Sequence, residues 1–525
     1  MKKILCLLLF TLLMGVPSMY HYDGLHFVLT AMVHALSYSI LFLYITYKYK
    51  IAKTIVFTFL YILFFIETFT FLYFGSRLDS NIMMLILQTD LHEIKGFFSL
   101  YVFSVKTLIF IVIFIVLYYL SLKHIVLSVF SMWLRDRKLN YYIILIAFLE
   151  IALSALPLQL PKGDITLEEV YKSLKFVRGN KQEVYKIEDM IGSIDVFNSP
   201  SKNEGLDIVL VIGESFNRLH SNLYGYKLNT TPHLASESNL IVFNNAMSPS
   251  TATYMSMRFL FSLKSCDNEN DSCQFVLMPT IFKKAQYKVG YFDNQYTRTE
   301  GGYFDAGCNY FLNTKIISMN SFDYRNDKTF EYDGDFINHY KSLFYYENKS
   351  LNIIHLKGQH LPAKKCYPKS FERFTSSEIQ RENLDERQKE VVAEYDNATL
   401  YNDFVIHQII NCFRQKDAIV FYLSDHGENI FDGKTHTIGR LSPNSTEEET
   451  KDNINRIPFV VWCSDTFIAK HPEKYESLKS SSNKMFCSDD IPYLLLDIAS
   501  IDSNYNNESR SLINKKYIPH HTIMQ

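Results

Sequence analysis

Five apolar runs, all before residue 160, constrain this chain more than any other feature of its sequence. Each run is close to the roughly 20 residues that a helix needs to cross the hydrocarbon core of a bilayer. They cover residues 3–19, 25–47, 54–74, 105–122 and 141–158. The sequence that follows is polar and rich in Asn, Ser, Lys and Glu. We therefore expect a membrane anchor of five helices followed by a soluble part.

The first run is the shortest and allows two interpretations. Lys2 and Lys3 precede a short apolar stretch, as they would in a cleaved signal peptide. Because the stretch lacks a clear small-x-small cleavage site, we favour an uncleaved anchor. The topology of the later spans is the same in both cases.

The loops between the runs predict the orientation of the anchor. Basic residues cluster between the second and third runs and between the fourth and fifth: Lys48, Lys50, Lys53, Lys123, Arg135, Arg137 and Lys138. Positive-inside reasoning places these loops and the N-terminus in the cytoplasm. An odd number of spans then puts everything after residue 158 outside. We expect a multi-pass inner-membrane protein whose soluble part lies in the periplasm.

The chain divides into three predicted parts. Residues 1–160 form the anchor, including an outer loop at 75–103 whose apolar spacing predicts an amphipathic helix at the bilayer surface. Residues 161–205 form a polar connector with two helical patches, LEEVYKSLKF and EVYKIEDMIG. Residues 206–525 form the soluble domain expected in the periplasm.

Short, continuously apolar runs recur after residue 206, and helical stretches separate them. They are DIVLVIGES, YKVGYFDN, LNIIHLKGQH, DAIVFYLSDHGE and RIPFVVWCSD. This pattern predicts an α/β domain with a mostly parallel central sheet. Ligands of such sheets gather at the carboxyl ends of the strands. Five polar residues fall at those ends: Glu214, Asp293, His360, Asp425 and His426.

Two of these strand ends carry the side chains that a metal ion requires. LSDHGE places Asp425 and His426 together after a buried strand, and VIGES places Glu214 at an equivalent position. Two carboxylates and an imidazole suit a borderline divalent ion such as zinc. The net charge of −2 leaves no basic excess for phosphates, so nucleic acid is not an expected partner.

The segment PSTAT supplies an alcohol to this site. Thr251 as a fourth ligand would be acidified by the metal and become a nucleophile near neutral pH. Thr251 is also a plausible N-cap of the helical sequence that follows it. The two interpretations are compatible, because the N-terminus of a helix favours an anionic phosphate.

The motifs VIGES, LYGY, PSTAT, GQHLP and LSDHGE occur in this order behind the five runs. In this combination the chain resembles the bacterial inner-membrane phosphoethanolamine transferases of the alkaline phosphatase/sulfatase superfamily. The resemblance covers nearly the whole chain, including LQTDLHEIK in the outer loop and the terminal DDIPYLLLDIA. It implies an alkaline phosphatase/sulfatase-like fold with a zinc site at Glu214, Thr251, Asp425 and His426. One zinc ion is expected, and the presence of a second is open.

The resemblance also implies catalytic histidines on the substrate side at His360 and His436. Glu93, near the membrane, and Asn294 are the implied substrate contacts. The chain departs from the family pattern at Leu85, where the family usually carries Asn. It departs again at Leu361, where the family has Gly, and in the segment MSMR at residues 255–258, where it often has Pro-Cys.

The implied reaction moves phosphoethanolamine from phosphatidylethanolamine to a glycolipid, either lipid A or the lipopolysaccharide core. It passes through a covalent intermediate on Thr251, and the enzyme is expected to act as a monomer at the bilayer. A sulfatase would need a C/S-x-P-x-R setting, which PSTATYMSMR lacks. A glycerol-phosphate polymerase of the same superfamily and a non-catalytic membrane scaffold stay open as alternatives.

Eight cysteines agree with an oxidising compartment. Cys266 and Cys273 lie close together in SCDNENDSC, where a local disulfide could hold the loop. Two free thiols are the alternative.

Overall fold

The computed structural model describes residues 2–19, 25–46, 49–74, 105–126, 166–198, 205–267, 272–295, 310–344, 349–432, 438–439 and 453–519, with residues 144, 145, 147 and 148. These residues belong to two compact units. The first comprises Met1–Arg178 and Leu441–Ser445, and the second comprises Gly179–Arg440 and Thr446–Gln525.

The first unit is helical. Its long helices are α1 Lys2–Met19, α2 Leu25–Thr46, α3 Lys50–Phe74 and α4 Val105–Ser121, and the π-helical turn Leu122–Val126 follows α4. Three stretches are long and apolar enough to cross a membrane: Val28–Thr46, Ile51–Phe71 and Thr107–His124. These three candidate spans coincide with the second, third and fourth predicted runs.

The predicted count of five spans is not confirmed by the described residues. Among the described residues, α1 has the apolar stretch Leu5–Val16, which is shorter than a span. The fifth predicted span lies outside the described residues except for four of its positions, and so does the outer loop at 75–103.

Aromatic side chains join α3 to α4 within the first unit. The Tyr61 hydroxyl donates a hydrogen bond of 3.0 Å to the backbone oxygen of Phe114, and their ring centroids are 5.8 Å apart. The ring of Phe64 stacks on Phe114 at 5.5 Å. Within a lipid bilayer the hydrophobic effect does not drive helices together, so van der Waals contacts such as these aromatic pairs contribute to their association.

The helix α5, Thr166–Met190, joins the two helical patches predicted in the connector into one element. The 3-10 turn Ile191–Ser193 follows it. The predicted domain limits at residues 160 and 205 stay predictions.

The second unit is an α/β domain around a seven-stranded sheet in the order β3-β9-β8-β2-β7-β5-β6. Two further two-stranded sheets pair β1 with β11 and β4 with β10. The strands are β1 Val196–Asn198, β2 Asp207–Gly213, β3 Leu240–Phe243, β4 Ala246–Met247, β5 Lys288–Asp293, β6 Tyr324–Arg325, β7 Ser350–His355, β8 Ala418–Ser424, β9 Phe459–Cys463, β10 Phe486–Cys487 and β11 Asp502–Ser503.

The main sheet is mixed, so the prediction of a mostly parallel sheet needs correction. The pairs β8–β2, β2–β7, β7–β5 and β5–β6 are parallel. The strand β9, however, runs antiparallel to both β8 and β3. A continuously apolar run such as FVVWC reports burial on both faces and carries no information about direction.

Helices cover the faces of this sheet. They are α6 Pro232–Ala235, α7 Thr253–Phe261, α8 Met278–Lys284, α9 Lys315–Ser321, α10 Asp333–Tyr340, α11 Glu386–Phe413, α12 Asp465–Lys470, α13 Pro472–Ser480 and α14 Ile491–Ile498. The longest, α11, begins at a capping box in which Asp385 and Gln388 bond each other's backbone N–H groups. Its apolar side joins the same core cluster as Val209 and Val420 of the central strands.

The cysteines differ from the expected local disulfide. The structure has no disulfide between Cys266 and Cys273. Cys266 instead packs with Cys487 and Phe259 in a small buried cluster. Nearness in sequence did not decide the neighbour of Cys266, because β10 brings Cys487 beside it from a distant part of the chain.

Candidate metal centre and nucleophile

Four neighbouring parallel strands end side by side at one edge of the main sheet. Glu214 directly follows β2, and Asp425 and His426 follow β8. Asp293 ends β5 and His355 ends β7. All five side chains are buried, and none has more than 1% of its surface exposed. Four of the five residues predicted at this edge, Glu214, Asp293, Asp425 and His426, therefore lie there, and His355 rather than the predicted His360 ends β7.

Glu214, Asp425 and His426 converge on one point. Their ligand atoms all lie within 4.8 Å of one another. His426 Nε2 is 3.3 Å from Glu214 Oε1 and 3.0 Å from Asp425 Oδ2. Three groups from two adjacent strand ends thus surround a volume that a single ion could share.

Hydrogen bonds orient these three groups from behind. His426 Nδ1 lies 2.8 Å from the backbone oxygen of Gly427, so Nδ1 carries a proton and Nε2 presents its lone pair to the two carboxylates. Asp425 Oδ1 accepts from the N–H groups of Ser215 and His426, at 3.1 and 2.8 Å. Asp425 Oδ2 has no hydrogen-bond donor among the described residues.

A cation satisfies this arrangement best. Two buried carboxylates that face an imidazole lone pair repel one another unless a positive charge lies between them. Oxygen, oxygen and nitrogen ligands at this spacing fit a divalent metal ion, and the bond from Nδ1 to a carbonyl is the usual support for a metal-binding histidine. Three of the four predicted ligands, Glu214, Asp425 and His426, therefore fit a single metal ion.

The alcohol at this centre belongs to Thr253, and the assignment to Thr251 needs correction. Thr253 Oγ1 lies 3.2 Å from Glu214 Oε2 and 3.1 Å from His426 Nε2. The helix α7 begins at Thr253, and its N-cap is Ala252, without a side-chain cap. Thr251 is therefore not the N-cap, and it belongs to the loop before the helix.

Serines in that loop account for the shift of two residues. The Ser250 hydroxyl accepts from the N–H of Ala252 at 3.1 Å, and the Ser248 hydroxyl lies 3.3 Å from that of Ser256. These bonds hold the loop against the first turn of α7, so the helix begins only after Thr251. The two threonines in STAT are chemically equal, so residue type alone could not distinguish them.

Ser215 makes the sharp turn that aims Glu214 into the centre. Its φ of 57° lies in the left-handed region, which is costly for a residue with a Cβ. Its hydroxyl donates to Glu214 Oε1 at 2.7 Å, and its backbone oxygen accepts from the Tyr395 hydroxyl. These bonds outweigh the strain and fix the direction of the carboxylate.

Gln295 is a residue of the site that the sequence reasoning missed. Its amide nitrogen donates to Glu214 Oε2 at 3.0 Å and to the backbone oxygen of Leu356 at 2.9 Å. It lies 2.9 Å from His355 Nε2, and His355 Nδ1 is 3.1 Å from Asp293 Oδ1. The position of Gln295, two residues beyond the end of β5, was the only signal in the sequence.

Asp293 is charged in this environment. Burial raises the pKa of its carboxyl, but the adjacent His355 outweighs burial and brings the pKa below its ordinary value. The Tyr291 hydroxyl also donates to Asp293 Oδ2 at 2.6 Å. Asp293 and His355 therefore form a charged pair next to Gln295.

Asn294 supports the turn that follows β7. Its amide nitrogen donates to Asp333 Oδ1 at 2.8 Å, and its oxygen accepts from the N–H of Phe330 at 2.7 Å. Asp333 in turn accepts from the N–H groups of Lys357 and Gly358. The side chain of Asn294 is fully buried by these bonds.

His360 lies on the same turn and is half-buried. Its Nδ1 is 2.9 Å from the backbone oxygen of Leu361. The turn is joined to the metal centre because the N–H of Gln359 donates to the backbone oxygen of Glu214 at 3.0 Å. The two other predicted site residues, His436 and Glu93, lie outside the described residues.

An α/β sheet with acidic, imidazole and hydroxyl groups at its carboxyl edge defines the class of alkaline phosphatase/sulfatase-like proteins. Residues 207–501 match the family described as Sulfatase, and the chain belongs to that family. Three known proteins show where in this class it stands.

The chain is 29% identical over 341 residues to phosphoethanolamine transferase EptC of Escherichia coli O18:K1:H7. That match covers 61% of this chain and 55% of the relative, so the chain spans about half of the relative's length. The crystal structure of the C-terminal periplasmic domain of EptC from Escherichia coli, in complex with Zn, is 25% identical with a TM-score of 0.51. It covers 62% of this chain and 90% of that domain.

A second solved structure extends over both units. The integral membrane protein lipooligosaccharide phosphoethanolamine transferase A (EptA) from Neisseria meningitidis matches with a TM-score of 0.64 and covers 97% of each chain. At 18% identity this likeness concerns the fold alone. Together these matches confirm the predicted resemblance to the phosphoethanolamine transferases.

Proposed function

We propose that this chain transfers phosphoethanolamine from phosphatidylethanolamine to a glycolipid, with Thr253 as the nucleophile. The observation that carries the proposal is the Thr253 hydroxyl, placed between Glu214 and His426 at the start of a helix. The names of the matched transferases support phosphoethanolamine as the transferred group. The Kdo(2)-lipid A in the name of a transferase of Salmonella typhimurium, 27% identical over 295 residues, supports a glycolipid acceptor.

Zinc is the ion we propose for the centre, held by Glu214, Asp425, His426 and the oxygen of Thr253. The donor set and the zinc complex of the EptC domain support this choice. When bound, zinc would act as a Lewis acid that increases the acidity of the Thr253 hydroxyl and offsets negative charge on a phosphoryl oxygen.

In the first step, Thr253 Oγ1 attacks the phosphorus of the donor lipid. The bond from Oγ1 to phosphorus forms, and the bond from phosphorus to the diacylglycerol oxygen breaks. Glu214 Oε2, which accepts the hydrogen bond of the hydroxyl, takes its proton as the bond to phosphorus forms. The transferred phosphoryl group then lies at the N-terminus of α7, where the helix dipole favours its negative charge.

His360 exchanges protons with the substrates in this proposal. Its Nδ1 donates to the Leu361 oxygen, so Nε2 is the basic atom of the neutral ring. A proton on Nε2 passes to the diacylglycerol oxygen as it leaves. In the second step Nε2 takes a proton from the acceptor, whose oxygen forms a bond to phosphorus as the bond from phosphorus to Thr253 Oγ1 breaks. Glu214 returns the proton to Thr253 Oγ1, so both groups end in their starting protonation states.

The remaining predicted residues take supporting roles. We assign His436 to the same proton exchange and Glu93 to the donor lipid near the membrane, on the basis of the family resemblance. Asn294 supports the turn that carries His360 rather than the substrate, because Asp333 and Phe330 engage its amide.

We place the protein in the inner membrane, with its second unit in the periplasm and the chain acting as a monomer. Three candidate spans in the first unit support membrane insertion. The periplasmic domain named for EptC supports the side. Both proposed substrates are lipids, so an anchor keeps the centre at the surface where they are found.

Trapping of the covalent intermediate tests this function. The purified full chain is incubated with phosphatidylethanolamine, digested and analysed by mass spectrometry. We expect phosphoethanolamine on Thr253, with release of diacylglycerol. The variant Thr253→Ala should lose the adduct and at least about 100-fold of turnover.

The variant Thr251→Ala is the matched control, and it should keep the adduct on Thr253. An adduct on Thr251 that survives Thr253→Ala would contradict the assignment. Labelling by phosphatidylglycerol in place of phosphatidylethanolamine would instead identify a glycerol-phosphate transferase.

A further inference from the structure

A pair of thiols lies apart from the metal centre and has no part in the proposed reaction. The sulfur atoms of Cys266 and Cys487 and a carboxylate oxygen of Asp489 lie within 4.8 Å of one another. Both thiol side chains are buried, with 8% and 5% exposure. They pack with Phe259, and Met247 and Met255 lie against the cluster.

The pair joins the two ends of the segment that presents Thr253. Cys266 lies five residues beyond the end of α7. Cys487 ends β10, which pairs in parallel with β4 and places Cys487 opposite Met247. Met247 leads into the serine loop before α7. A bond between the two sulfur atoms would therefore hold both sides of α7 to the C-terminal part of the domain.

The surroundings of the pair favour a disulfide over a second metal site. Asp489 Oδ2 accepts from the N–H of Cys266 at 2.9 Å and pairs with the Arg510 guanidinium at 2.9 Å. Arg510 also stacks over the ring of Tyr493 at 4.8 Å. The Arg510 guanidinium already offsets the charge of Asp489, which weakens the attraction of this cluster for a cation, whereas a neutral disulfide suits the apolar side formed by Phe259 and the methionines.

We propose that Cys266 and Cys487 form a disulfide that fixes the position of α7 and its first residue, Thr253. The inference rests on the proposed placement of the second unit outside the cytoplasm, where protein disulfides persist. The two thiols give up two electrons and two protons to a disulfide oxidant by thiol–disulfide exchange. One bond forms between the two sulfur atoms, and the oxidant's disulfide becomes two thiols.

Peptide mapping of the full chain tests the proposal. Protein purified from membranes is blocked with N-ethylmaleimide in denaturant without reductant, digested and analysed by mass spectrometry. We expect a linked peptide pair that contains Cys266 and Cys487, and the variant Cys273→Ser should keep this link. A link from Cys266 to Cys273, or N-ethylmaleimide on both Cys266 and Cys487, would overturn the proposal.

If Cys266 and Cys487 are found as thiols in the purified chain, there are two possible causes, and a second measurement distinguishes them. The purified chain is incubated with oxidised glutathione, while protease accessibility in spheroplasts reports the side of the second unit. If the Cys266–Cys487 disulfide forms only after oxidised glutathione is added, and the second unit resists protease in spheroplasts, the proposed periplasmic placement is wrong. If glutathione adds to the cysteines without a Cys266–Cys487 disulfide, the two sulfur atoms are not placed to form one. Both results leave the Thr253 adduct experiment unaffected.

Stability and metal content distinguish a disulfide from a cation site. The variants Cys266→Ser and Cys487→Ser should lower the melting temperature by similar amounts, and the double variant should lower it no further. Metal per chain should be the same in all of them. Loss of one metal equivalent in either single variant would overturn the disulfide in favour of a metal site.

Discussion

Thr251 and Thr253 are separated by one alanine, yet they occupy different environments because α7 begins at Thr253. A helix start that moves by two residues rotates a side chain by about 200° around the axis, at 3.6 residues per turn. The local bonds of Ser248 and Ser250 set this start. At the residue scale, therefore, the candidate nucleophile is determined by hydrogen bonds of a loop.

A buried histidine outside the centre shows the same dependence on neighbours. His220 Nδ1 lies 2.7 Å from Asp396 Oδ1, and Nε2 lies 3.4 Å from Asp432 Oδ2. Burial lowers the pKa of His220, but the carboxylates of Asp432 and Asp396 outweigh burial and raise it to about 9. Arg381 pairs with the other oxygen of Asp432 at 2.8 Å.

This histidine predicts a pH dependence of stability. Its folded pKa lies above the ordinary value of 6.5, so its stabilising contribution is complete below pH 6.5 and is lost as pH rises through about 9. We expect His220→Gln to destabilise the chain below pH 6.5 and to flatten the decline between those values. Denaturant unfolding across this pH range measures both effects.

His471→Gln is the control, because His471 is partly exposed and pairs with Asp417 at 3.3 Å. It should preserve most of the decline. An unchanged slope in His220→Gln would show that His220 is neutral in the folded chain.

At the scale of elements, the turn after β7 approaches the backbone of Glu214 very closely. Gly358 has a φ of +51°, and a Cβ there would lie 2.7 Å from the N and 2.8 Å from the O of Glu214. Backbone atoms cannot move aside as a flexible side chain can. The turn and the strand end that carries Glu214 therefore fit only when residue 358 is glycine.

We predict that Gly358→Ala displaces Glu214 and lowers both metal affinity and turnover by at least about 10-fold. Gly225→Ala is the matched control, because Gly225 also has a positive φ, +92°, but has nothing within 4 Å of its Cβ position. Both variants bear a backbone strain of about 1–2 kcal/mol. Equal turnover in the two would contradict the close approach.

The capping box of α11 gives a second prediction for an element. Asp385→Ala removes the side-chain acceptor for the N–H of Gln388 and should cost about 1 kcal/mol of unfolding free energy. Turnover should be unchanged, because the cap and the first turn of α11 precede its buried residues, which begin at Val392. Glu386→Ala, at the neighbouring exposed position, is the control in denaturant unfolding. A turnover loss in Asp385→Ala would connect this end of α11 to the site.

At the scale of the whole molecule, the metal centre joins elements that are distant in the chain. Glu214, Thr253 and His426 come from β2, α7 and the segment after β8. An ion bound to all three stabilises the fold of the second unit, because the unfolded chain does not hold these groups together.

Removal of metal should therefore lower the melting temperature of the purified chain. At a free metal concentration of about 1,000 times Kd, the bound ion contributes about 4 kcal/mol. A chelator should abolish this contribution, and added zinc should restore it. Asp425→Asn should melt at the same temperature with and without chelator. A chelator effect of full size in Asp425→Asn would place the stabilising metal elsewhere.

The sequence alone determined the features that depend on composition and local pattern. Apolar runs near 20 residues predicted three helices that the structure has, because a bilayer allows few alternatives for such runs. Apolar strands followed by acidic residues predicted the carboxyl edge where Glu214, Asp425 and His426 meet. The order of the motifs predicted the family.

Tertiary structure decided what depends on contacts between distant segments. It selected Thr253 over Thr251, reversed β9 relative to β8, brought Cys487 to Cys266 and placed Gln295 beside Glu214. In each case the sequence allows more than one arrangement of the same residue types. Packing and hydrogen bonding across the sheet separate them, and these energies exist only after the chain has folded.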